Sequence, residues 1–259
     1  MAVKPASNIE ECPFTPDLDE LPPEQLRSIV AAGEEAVEIA HLLARTEDNV
    51  VGELIKNAGT FYEWNHYPDG DVYDSETGGQ FFYHAHPADL RVGEHGHFHT
   101  FLRPSGMPDG MQPAPVSDFT LPEDENDALT HLIGISMDEM GKAICLFTTN
   151  RWVTGEIWYE ADDVIAMLKL FEIGHTQPSW PVNRWVSAMV RFYGLEIAAL
   201  VAERDAAVAA WQNRPLPIDE ETGETVTSVF ENRELEVTSY LRVSVEDRLE
   251  RARASLARS

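Results

Sequence analysis

Residues 81–103 read FFYHAHPADLRVGEHGHFHTFLR and hold five of the nine histidines in the chain: His84, His86, His95, His97 and His99. Side chains alternate between the two faces of a strand, so His84 and His86 point one way together and His97 and His99 do the same. Pro87, the polar run after it and the glycines at 93 and 96 make a loop long enough to bring the second pair back antiparallel to the first. Opposed residues in such a pairing stand roughly 4.5–5.5 Å apart at Cβ, so four imidazoles could converge on one point. Neutral imidazole is a ligand for zinc, copper and non-haem iron, and the pattern is therefore read as a site for a divalent transition metal. A set of uncharged donors leaves the full metal charge available to polarise a substrate or activate oxygen, which favours iron or copper and leaves zinc open. The alternative is a solvated histidine-rich loop, or histidines satisfied one by one by core hydrogen bonds.

Three further groups lie in the connecting loop. Glu94 and His95 immediately precede the second pair and could be a carboxylate holding a ligand's ring N–H, an acid–base pair, or plain loop residues, and Arg91 stands close by. Two more candidates come from the following strands. His131 alternates with Ile133, Ile135 and Met137 and could supply a fifth ligand or a base. Glu156 alternates with Trp152, Thr154 and Trp158, where burial among tryptophans would raise its pKa and suit it to acid–base work.

The elements that must position these residues are legible from their periods. Apolar residues at three- and four-residue steps predict a helix over 22–45, a short one over 47–57, one over 161–172 and a long one over 182–212. Alternation predicts strands over 61–67, 80–86, 130–138, 142–150, 151–160 and 235–245, with PDGD at 68–71 as a turn. Ser244 and Asp247 announce a last helix. Helices at both ends with about six or more strands between them give an α+β fold with a mainly antiparallel sheet. Residues 1–22 carry several prolines and little periodicity and are expected to be an extended or disordered arm, with 23–259 a single domain. The proline-rich stretch 104–127 is longer than most connections and could be a lid over the histidines.

Composition removes several classes of function. A net charge of −26 repels phosphate backbones, so nucleic acid is not an expected partner. No run of 18 apolar residues is present, which argues against a membrane span. The N-terminal residues lack a charged start followed by an apolar stretch, and this together with two widely separated cysteines points to a cytoplasmic protein with reduced thiols. A Gly-rich phosphate loop, GxSxG, HExxH and CxxC are all missing.

The blocks YHAHP…EHGHFHTFLR and LFTTNRWVTGE resemble an uncharacterised, mainly proteobacterial family, a domain of unknown function, over roughly residues 25–210; the resemblance implies no activity. The HxH pattern is also similar to that of cupins, whose metal site adds a later glutamate and a distant histidine, although their glycine spacing is absent here. The expectation is a metal-dependent enzyme, an iron or copper oxidoreductase acting on a small-molecule substrate. A zinc hydrolase using Glu94 or Glu156 as base, and a non-enzymatic metal- or ligand-binding module, are the alternatives. Homo-oligomerisation is left open.

Overall fold

The structure, a computed structural model, describes residues 9–87, 90–116, 120–218, 223 and 225–259. Six antiparallel strands form one sheet in the order of the chain: β1 (Tyr67–Tyr73), β2 (Gly79–His84), β3 (Gly96–Leu102), β4 (Thr130–Met137), β5 (Ala143–Thr149) and β6 (Val237–Arg242). The helices are α1 (Pro23–Ala44), α2 (Val50–Ile55), α3 (Arg151–Thr154), α4 (Ala161–Met167), α5 (Trp180–Phe192), α6 (Gly194–Trp211) and α7 (Val245–Arg258). The expected α+β class with helices at both ends is what is found.

Alternation divides the sheet into two different surfaces. Phe81, Tyr83, Phe98, Ile133, Ile135 and Leu146 belong to one large apolar core with residues of α1, α5 and α6, and Phe98 meets Trp185 of α5 at 5.6 Å between ring centres. The other surface carries Phe82 and His84 of β2, His97 and His99 of β3, and Cys145 and Phe147 of β5, in register as His84↔His97, Phe82↔His99 and Gly134↔Phe147. Each of these strands is buried on both faces, as their unbroken apolar and aromatic content requires. Gly134 has a specific task there: a Cβ at this position would run into the Phe147 ring, which leans across the glycine to within 5.1 Å of the His97 ring.

The structure changes several of the expected elements, each for a physical reason. PDGD at 68–71 lies inside β1, where the pairing slips between Tyr67 and Val72 and Gly70 and Asp71 adopt positive φ; the turn residues make a bulge, and 61–66 are irregular. The third strand of the expected meander is instead α3, because the Asn150 side chain caps its first N–H and Gly155, at φ 64°, stops it. The long helix is two, bent by 71° at Tyr193–Gly194, which lets α5 pack along α1 with Trp185 against Phe98 of β3, and α6 on the β5–β6 end of the sheet. The last helix begins as expected, with the Ser244 side chain accepting from Asp247 N–H. Among the described residues no single helix is long and apolar enough to cross a membrane, and the bent pair α5–α6 buries its apolar residues in the core of the protein.

Residues 9–22 include one turn of 3₁₀ helix at Leu18–Glu20 and are held to the rest of the protein, with Cys12 N–H donating to Tyr240 O at 2.8 Å and Leu18 in the core; residues 1–8 lie outside the described residues. In 104–127, Ala114 N–H donates to Trp158 O and Asn126 ties to Ser105 and Tyr73, so the described part is anchored at one end of the sheet; 117–119 lie outside the described residues.

Candidate metal centre

His84 and His97 face each other across β2 and β3 with their Nε2 atoms 2.7 Å apart, and His99 stands two residues along β3 on the same face. One ring nitrogen from each of the three lies within 4.8 Å of the others, so His84, His97 and His99 could hold a metal ion. His97 and His99 are fully enclosed and His84 is partly open, so the site is approached from the β2 side. All three rings are held neutral. Burial pushes His84 down to about 3 and puts His97 and His99 well below the usual imidazole range, with neighbouring imidazoles and the Arg91 charge acting in the same direction. Neutral rings need lose no proton to accept a metal ion.

Two of the three are oriented from behind. His97 Nδ1 meets Glu94 Oε1 at 2.6 Å, a buried contact that turns Nε2 toward the cluster. His99 Nδ1 meets His131 Nε2 at 3.0 Å, and His131 is itself neutral because burial lowers it to about 3. Burial raises the pKa of Glu94, and Arg91, 3.7 Å away, opposes the rise. Arg91 is buried, ion-paired to Glu236 and seated over the Phe147 ring at 5.1 Å.

The expected four-histidine convergence therefore becomes three plus two neighbours. His86 lies just beyond the end of β2; its ring stacks at 5.1 Å from that of His97 and packs edge-on against Trp64 at 4.3 Å, at the rim of the site. His131 was expected on the apolar face with Ile133 and Ile135. A bulge corrects this: Thr100 pairs with Ile133 but Phe101 pairs with His131, so one extra residue in β4 reverses its phase and sends His131 to the histidine face.

Two other candidates are placed away from the cluster. The His95 ring bonds the Tyr83 hydroxyl at 2.6 Å and packs beside Phe61, on the opposite side of the sheet. β3 begins only at Gly96, so alternation does not bind His95, and a Cβ at Gly96 would collide with Tyr83, whose hydroxyl uses that gap. Glu156 is buried and its pKa rises to about 7 for that reason, as expected of a carboxylate without water. Its Oε2 accepts from His131 N–H at 2.7 Å and from Thr130 Oγ1 at 3.0 Å, so it fixes the backbone of β4 and does not face the three ring nitrogens.

One feature beside the site escaped the sequence pattern. His66 stacks on Phe82 at 3.6 Å and stands 5.8 Å from the His84 ring, with its Nδ1 on Asp71 Oδ1 at 3.0 Å. Its only signal in the sequence is the aromatic spelling FYEWNHY, whose alternation predicts a strand where the chain is irregular over 61–66.

Fold and site together define an α+β protein with a buried, three-histidine candidate metal centre on the face of an antiparallel sheet opposite its helices. The chain belongs to a family described as a domain of unknown function (DUF6969), which matches residues 30–243, beginning just inside the 25–210 stretch of the resemblance and running past its end. No curated protein and no solved structure matches it.

Proposed function

We propose that the chain is a metal-dependent oxidoreductase whose iron or copper is held by His84, His97 and His99 and which acts on a small organic molecule. The observation that carries this reading is the donor set: three neutral imidazoles, two of them oriented from behind by Glu94 and His131. Three protein ligands leave coordination positions open for a substrate, as a catalytic centre requires, and uncharged ligands leave the metal strongly electron-withdrawing. The chain's own groups do the rest. Glu94 holds the His97 ring, His131 holds His99, Arg91 stands beside Glu94, and Phe82 and Phe147 keep the space around the rings apolar.

The zinc hydrolase reading uses the same ligands but needs a free base at the site. Glu94 is engaged by His97, and Glu156 by Thr130 and the backbone of His131, which favours the redox reading. Elemental analysis and electron paramagnetic resonance of protein purified without added metal test the choice. The expected result is about one iron or copper per chain, reduced to near zero in His97→Ala. A stoichiometric zinc content with a silent spectrum would move the reading to hydrolysis, and a metal content unchanged in His97→Ala would remove the centre altogether.

A further inference from the structure

A groove of about 1280 Å³ lies along the β1 edge of the sheet, beside the histidine face. Trp64 and His66 belong to both: they line the groove, and their rings also touch His86 and His84. We propose that this groove receives the substrate of the centre described above, and that the substrate is a neutral, hydroxyl-rich molecule of the saccharide class. The inference rests on the metal-dependent reading and adds the ligand class to it.

The lining argues for that class. Tyr62 and Trp64 are 60% and 56% exposed, which is unusual for side chains of their size, and a sugar ring presents to such a platform the C–H face that aromatic rings bind. Their exposure is maintained against a local cost. Trp64 sits at φ 70°, a conformation rare for a bulky residue, and is kept there by its N–H donating to Ala85 O at 2.9 Å and by the His86 ring. Tyr62 is clamped by Tyr67, whose hydroxyl accepts from Tyr62 N–H at 2.6 Å. Beside this platform stand groups that can bond hydroxyls in either sense, among them Asn57, Asn65 and His66.

Charge selects among the ligands that an aromatic groove could take. Glu53, Asp69 and Asp71 line the groove and disfavour a phosphate or carboxylate. Arg103, the one arginine among the described lining residues, is committed to Gln80, Asp127 and the Tyr73 ring. A cation would need a free carboxylate, and two of the three are spoken for: Asp71 by His66 and Gln80, Glu53 by Lys56 and Ser179. What is left is largely a neutral surface of amides, an imidazole and aromatic faces. Its volume exceeds that of a single sugar ring and fits a short oligosaccharide.

The test is calorimetric and fluorescence titration of the full chain, with and without bound metal, against D-glucose, maltose and cellobiose, with choline and glucose 6-phosphate as the charged competitors. Saturable binding of a neutral saccharide is expected, stronger for the disaccharides than for glucose. Trp64→Ala should weaken it about tenfold, and Tyr62→Ala should weaken it as well, which covers the case in which the first variant disturbs the loop. His97→Ala should lose metal and keep the saccharide. No saturable saccharide binding, binding of choline or glucose 6-phosphate in preference, or saccharide binding unchanged in both aromatic variants would overturn the proposal. Any of those results with one metal still bound per chain would leave the metal centre standing and remove only the ligand class.

Discussion

Replacing Glu94 by Gln isolates what the buried carboxylate does for the centre. Its Oε1 is 2.6 Å from His97 Nδ1, both groups are enclosed, and the substitution keeps the shape while removing the charge. A hydrogen bond to a charged group contributes roughly 1.5–3 kcal/mol, which corresponds to about 10- to 150-fold in affinity if it is felt fully in the metal-bound state. Mutating partners behind metal ligands costs about 10- to 100-fold, in the same range. The metal-free protein should respond in the other direction or little, because burial already raises the pKa of Glu94 and its charge is a cost in the absence of a cation. The assay is competition with a chelator of known affinity, using zinc or cobalt as probe, with thermal unfolding of the metal-free protein measured in parallel. Affinity within twofold of the parent would refute the claim that Glu94 orients His97 toward a metal. So would a loss of metal that merely tracked a large loss of metal-free stability.

Acid should unfold the metal-free protein early. The His131 pKa falls from about 6.5 in the unfolded chain to about 3 when folded, so between these values the unfolded chain takes the proton and stability falls as pH falls; at pH 5 the loss from this residue is about 2 kcal/mol. His84, His97 and His99 add to it with the same sign, and urea denaturation at pH 7 and pH 5 should show the difference, whereas a flat profile would mean that the rings are hydrated. Away from the centre, Arg248 of α7 is buried and bonds Glu196 of α6 at 2.6 and 2.8 Å; Arg248→Ala leaves that carboxylate buried alone and should cost about 3–5 kcal/mol in the same assay, with a change below 1 kcal/mol counting against the pairing.

The strands that bear the histidines were readable because they obey a period of two. The histidines of FFYHAH and GHFHTF recur at every second residue, and the loop between them is long enough to return the chain antiparallel. The α+β class followed from periods as well. The failures share a cause, which is that a period says nothing of where it is broken. PDGD, a turn by composition, is absorbed into a bulge of β1, and the alternation of RWVTGEIWYE is overruled by an asparagine cap and a glycine stop.

What the amino-acid order determined by itself is the presence of His84, His97 and His99 on one face of a hairpin, and Glu94 three residues before His97, within reach of its ring. What only tertiary structure decided is which histidines complete the centre. An extra residue in β4 moves His131 behind His99, the end of β2 leaves His86 at the rim, and His95, just outside its strand, turns to Tyr83. Bulges and strand ends are set by packing against neighbours distant in the chain. A residue's face is therefore a local property only while pairing stays in register, and once it slips, the side chain goes where the whole sheet puts it.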